Sequence, residues 1–167
     1  MPKKVTKKKV DNSLIEAVKD SIIKEQDAQV FYTKASGLAA DPAVKEFFLG
    51  LRDDEIEHEK MLRAVLKDLK AGKLVGSTSK AIPKGSLSDM GIGRYLKKDI
   101  PRTTTTYQDA LMMAMRREES AWRGYQKLAE RSPTESLQDL FLLLAQTEVG
   151  HLRRLEAIYE RGVLDGY

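Results

Sequence analysis

The chain has 167 residues, of which 41% are hydrophobic and 32% charged, enough for one domain with a sizeable core. It contains no cysteine, which removes disulfides, zinc ribbons, thiol catalysis and iron–sulfur ligation. No long apolar run marks a membrane span, and no apolar stretch follows the basic start "MPKKVTKKKV" to make a signal peptide, so a cytoplasmic protein is expected.

The formal charge of +4 is concentrated at that start. Residues 1–10 hold five lysines and no acid; without them, 24 basic residues face 25 acidic ones. Residues 1–12 are read as a disordered, solvated basic tail, with nucleic-acid contact through residues 1–10 as the minor reading. No aromatic side chain interleaves with these lysines to stack on bases.

The first helix is expected over 13–36. It opens in "DNSLIEAVKD", where Ser13 and Glu16 have capping-box spacing, and stops before Gly37. The second is expected over 42–70, with Asp41 as N-cap and Pro42 at the first helical position. Residues 71–105, rich in Gly, Ser, Pro and Thr, read as a crossover with a short helix around "SLSDMGIGRYL". Its Gly91-x-Gly93 is no nucleotide fingerprint, because the third glycine and a preceding strand are missing. A third helix follows the threonine run Thr103 to Thr106 and covers about 107–131. The fourth covers about 133–161, with a second capping-box pattern from Ser132 to Glu135. Short connections inside each pair make two antiparallel hairpins, so residues 13–167 are expected to form an all-α, antiparallel four-helix bundle.

The two hairpins read as copies. "EQDAQVFY" at 25–32 and "EESAWRGY" at 118–125 both carry Glu, then Ala three later, then Tyr seven later. Glu25 to Glu55 and Glu118 to Glu148 each span 30 positions, and His58 and His151 follow at the same offset. Phe48 and Phe141, Leu51 and Leu144, and Leu62 and Leu155 fall into the same register. Identities held at one constant offset without a gap point to an internal duplication.

Helical spacing then assigns faces. Inward series are Ile15, Val18, Ile22, Glu25, Gln29, Tyr32 in the first helix and Val44, Phe48, Leu51, Glu55, His58, Leu62 in the second. In the third they are Leu111, Met115, Glu118, Trp122, Tyr125, and in the fourth Leu137, Phe141, Leu144, Glu148, His151, Leu155. Each helix thus places a glutamate on its apolar stripe, while Asp53, Asp54, Glu57 and Glu59 read as solvated. Asp54 has the further option of orienting an imidazole.

Burying an unpaired carboxylate costs several kcal/mol, on the order of its residual desolvation penalty. Four of them converging need a cation, and no lysine or arginine shares the inward series. Bound metal is the simplest compensation. A Glu-x-x-His step projects two ligands about 60° apart around the helix axis, so both reach one ion. Two such steps and two single glutamates make two equivalent half-sites for two divalent ions. Carboxylate and imidazole donors suit iron or manganese and tolerate zinc. Glu119 is an alternative to Glu118, but the tyrosine register and the 30-residue spacing favour Glu118. "HEKML" is no zinc-protease motif, since Leu62 stands where a second His belongs.

At these residues the chain resembles the ferritin-like superfamily, specifically rubrerythrin-type di-iron proteins, over about residues 13–162. The resemblance implies two iron ions: Glu25 with His58 on one, Glu118 with His151 on the other, and Glu55 and Glu148 bridging. It also implies that Tyr32 and Tyr125 donate hydrogen bonds to the ligating carboxylates. Rubrerythrins proper carry a four-cysteine rubredoxin module that this chain lacks, so electrons are expected from an external donor protein. Ala121 stands where they place a further glutamate, which leaves a symmetric set of six, closer to bacterioferritin. Ile56 stands where bacterioferritins carry the haem methionine, so no haem is expected.

The function implied is a di-iron oxidoreductase reducing peroxide or dioxygen. Ferroxidase and iron storage are the alternative, disfavoured by the absence of a fifth helix. A non-enzymatic bundle acting through its basic tail is the alternative of a different class. A homo-oligomer, with a dimer favoured, completes the expectations.

Overall fold

The computed structural model describes residues 12–73 and 106–164. The expected basic tail and nearly all of the crossover, with its short helix, lie outside the described residues. These comprise four helices and no strand: α1 (Asn12–Ser36), α2 (Pro42–Lys70), α3 (Tyr107–Glu130) and α4 (Glu135–Leu164). The fold is an all-α four-helix bundle.

Local chemistry sets most ends. Asp41 is extended, and its carboxylate accepts from the Ala43 N–H at 2.8 Å, with Pro42 opening α2. Beyond the end of α2, Gly72 turns the chain at φ 65°, a left-handed conformation open to glycine. Thr106 and Asp109 form a reciprocal capping box at the start of α3, each side chain bonding the other's backbone N–H at 3.1 Å.

The other two caps differ from expectation. Ser13 lies inside α1, where it accepts from Arg131 Nη2 at 2.7 Å, while Glu16 pairs with Lys19. At α4, Thr134 accepts from the Leu137 N–H at 3.3 Å, and Ser132 instead donates to the Leu128 carbonyl, closing α3. Two hydroxyls compete within three residues, and the one nearer the helix wins. Gly162 does not stop α4, which continues to Leu164.

α1 packs along α2 and α3 along α4, and the hairpins meet chiefly through α1 and α3. Two apolar clusters fill the bundle. One holds Leu14, Val18, Ile22, Leu62, Val65, Leu69, Tyr125 and Phe141; the other holds Phe31, Tyr32, Phe48, Leu51, Leu111, Met115, Leu152 and Leu155. Repeat partners such as Phe48 and Phe141 fall in opposite clusters. The duplication is therefore a pseudo-twofold that exchanges the two ends of the bundle. A layer of buried charge lies between the ends.

Several facings depart from the heptad reading. Leu14 and Ala28 are buried, whereas Ile15 is only partly buried and Gln29 points across to α2. Glu59 is not a free solvated acid. It accepts from Gln29 at 2.7 Å, Gln26 at 3.0 Å and Arg63 at 2.8 Å, and these bonds, Gln29 foremost, hold its carboxyl below the usual range. Glu57 does face solvent, paired with Lys60.

Candidate metal centre

The helices bring all six sequence-selected metal residues into the layer between the two clusters. Relative exposures are 3% for Glu25, 2% for Glu55, 3% for His58, 1% for Glu118, 0% for Glu148 and 4% for His151. Among the described residues, no lysine or arginine is buried with them. Glu119 instead lies at the helix surface and pairs with Arg123 at 2.8 Å.

Each Glu-x-x-His step folds its two side chains together. His58 Nδ1 lies 3.1 Å from Glu55 Oε2, and His151 Nδ1 lies 3.2 Å from Glu148 Oε2. The steps also interlock across the bundle through His58 Nδ1, 2.9 Å from Glu148 Oε1, while His151 Nδ1 lies 3.3 Å from Glu118 Oε2 within its own hairpin. The imidazoles lie near-parallel with centroids 6.2 Å apart. Two overlapping groups result: Glu25, Glu55, His58, Glu148, and Glu55, Glu118, Glu148, His151. Within each group the donor atoms lie within 4.8 Å of one another, and Glu55 and Glu148 belong to both.

The tyrosines cross-brace this layer. Tyr32 Oη donates to Glu118 Oε1, and Tyr125 Oη donates to Glu25 Oε1, so each hairpin's tyrosine holds the other hairpin's glutamate. Phe48 stacks on Tyr32 and Phe141 on Tyr125. Burial, with the facing glutamates, pushes both phenols well above their ordinary range, so they remain donors.

Burial and mutual charge shift the titratable groups of the layer. Burial pushes the Glu25 carboxyl up to about 10, reinforced by Glu55 and Glu148 against the pull of Tyr125. Burial and the Glu118 charge raise Glu148, against the two imidazoles. For His58, burial favours the neutral ring, but Glu148 and Glu55 outweigh it and hold the imidazole at about 11. Burial opposes charge on His151 too, and Glu118 and Glu148 bring it to about 10.

This donor set fits metal on a structural ground. Glu118 Oε2 and Glu148 Oε1 are buried without an aligned hydrogen bond, although an imidazole nitrogen lies near each. Buried polar atoms left without partners are costly. A cation among four carboxylates would give both a partner.

Asp54 takes up the option of orienting an imidazole, and one further feature escaped the heptad reading. Asp54 Oδ2 lies 3.0 Å from His151 Nε2, on the side away from the carboxylates. Its repeat counterpart is Thr147, whose hydroxyl bonds the Leu143 carbonyl instead. A cleft of about 160 Å³ also opens between α1 and α3 onto Glu25, Glu55, Glu118 and Tyr125, with Lys24 and Arg117 on its sides. The signal was present: Lys24 and Arg117 each precede a repeat-matched glutamate.

Fold and site together define a ferritin-like bundle with paired carboxylate–imidazole groups able to hold metal. The Rubrerythrin family description matches residues 16–87 and 109–165. The chain belongs to the rubrerythrin family. It is also similar to a solved structure described as a hypothetical protein from Pyrococcus furiosus. That likeness has 28% identity, a TM-score of 0.67, and covers 91% of this chain and 90% of that one. No curated protein gives a significant match. Among the described residues, no helix is long and apolar enough to cross a membrane.

Proposed function

We propose that the protein is a cytoplasmic di-iron oxidoreductase that reduces hydrogen peroxide or dioxygen with electrons from an external donor protein. One observation carries the reading: two ligand groups that share Glu55 and Glu148, which is an arrangement for two ions side by side. Two ferrous ions there would supply one electron each to an O–O bond. Peroxide reduction then consumes two electrons and two protons and releases two waters.

The chain's own residues do the rest. Glu25, Glu55, His58, Glu118, Glu148 and His151 would hold the pair, and the apolar clusters shield the layer toward both ends of the bundle. Tyr32 and Tyr125 keep their protons at Oη and steady Glu118 and Glu25 as the charge of the centre changes. Manganese and zinc suit the same donors, so metal analysis comes first.

Protein isolated from iron-replete cells should hold two irons per chain, behave as a dimer, and consume peroxide when a reductant is supplied. Glu55→Ala and Glu148→Ala should each lose metal. Wild-type metal content in both variants would defeat the ligand assignment. A large hollow shell loading many irons per chain would make the protein a storage ferroxidase.

A further inference from the structure

We propose that the cleft between α1 and α3 is a port that admits a small monoanion to the carboxylate layer, with Lys24 and Arg117 as its recognising charges. This inference rests on the metal-pair reading above and concerns small anions that reach the centre, a class separate from the neutral peroxide or dioxygen proposed as substrate.

The cleft meets Glu25, Glu55 and Glu118, while neither imidazole lines it. Apart from Glu55 of α2, the residues bordering the open approach come from α1 and α3, the two helices without histidines. Small residues make the opening: at Gly124 an added methyl group would meet nothing within 4 Å. A volume of about 160 Å³ suits a ligand of a few heavy atoms and no large organic substrate.

Charge then selects among small ligands. Lys24 is exposed, and Arg117 is held by its guanidinium over the Phe31 ring, 4.6 Å from the centroid. Neither pairs with a carboxylate among the described residues. Four carboxylates and two divalent ions cancel, so the loaded layer itself sets no charge against these two cations. Asp20 and Asp27, a turn from Lys24 on α1, form no ion pair with it. A mouth of one sign raises the local concentration of oppositely charged ligands and repels like charges. The same charges oppose passage of ferrous ions, which sets this cleft apart from an iron-uptake route.

Cobalt-loaded protein with azide as the probe tests the port, read by the visible absorption of cobalt. Combining Lys24→Glu with Arg117→Glu should weaken azide binding about tenfold or more at low salt. The steep salt dependence of the wild type should vanish with it, while cobalt content per chain stays unchanged. Lys24→Glu alone touches an exposed side chain without an ion pair, so it tests the point even where the double variant folds poorly. It should show a smaller loss in the same direction. Unchanged azide binding in that single variant would overturn the proposal. So would faster cobalt uptake by the metal-free double variant with azide binding intact, which would make the cleft the cation's route. Failure of the wild type to bind cobalt at all would instead sink the metal-pair reading and this inference with it.

Discussion

At the scale of single residues, the two halves of the centre are not equal. His151 has a carboxylate on its outer nitrogen, and the repeat offers His58 only Thr147 at the matching place. A carboxylate on the outer N–H fixes the ring and strengthens it as a ligand, an effect of roughly 10–100-fold in metal affinity. Asp54→Asn should therefore weaken the first of two cobalt-binding steps by roughly that factor and leave the second nearly unchanged. Equal weakening of both steps in a binding isotherm would refute the asymmetry. The tyrosines make a second prediction. Tyr32→Phe strips the donor from a buried Glu118 oxygen, and Tyr125→Phe does the same to Glu25. Each should destabilise the metal-free protein by about 1–3 kcal/mol, measured by urea unfolding.

Elements carry the symmetry. α1 and α2 present the same set as α3 and α4, so Phe48 and Phe141 occupy equivalent places, each 0% exposed and each stacked on a tyrosine of the layer. Truncating either to Ala should cost about 3–5 kcal/mol. Near-equal losses in the two variants are expected, and a several-fold difference would show that the halves are not mechanically equivalent. Helix ends followed the same physical logic with different residues. Asp41 and Thr106 cap as their spacing suggests, but Thr134 displaces Ser132 at α4 because its hydroxyl reaches the Leu137 N–H directly. A threonine two residues after a serine leaves the spacing rule without a unique answer.

For the whole molecule, the layer couples metal, protons and stability. Folding raises the imidazoles from 6.5 to about 11 and about 10, and raises Glu25 from 4.5 to about 10. The metal-free fold thus binds more protons than the unfolded chain between those limits, so its stability falls as pH rises through that window. Its melting temperature should be lower at about pH 9 than at about pH 6; a flat or rising trend would contradict the protonated layer. Metal needs neutral imidazoles and ionised carboxylates, so cobalt loading at neutral pH should release protons. Calorimetry in buffers of different ionisation enthalpy counts them. The bound ion should also raise the melting temperature, because it binds the folded state alone.

The sequence by itself determined that there are four amphipathic helices, that they form two matched pairs, and that Glu25, Glu55, His58, Glu118, Glu148 and His151 share the apolar face. Those are periodic properties, and a helix converts spacing along the chain directly into a face. It could not determine what meets across the bundle, because that depends on the stagger and rotation of one helix against another. Tyr32 reaching Glu118 rather than the glutamate of its own helix, Asp54 reaching His151, and Glu59 gathering Gln26, Gln29 and Arg63 are all contacts of that kind. So is the cleft flanked by Lys24 and Arg117, which exists only because small side chains of α1 and α3 face each other there. Periodicity selects the residues of the layer; the crossing of the helices decides which of them touch and from which side a ligand can arrive.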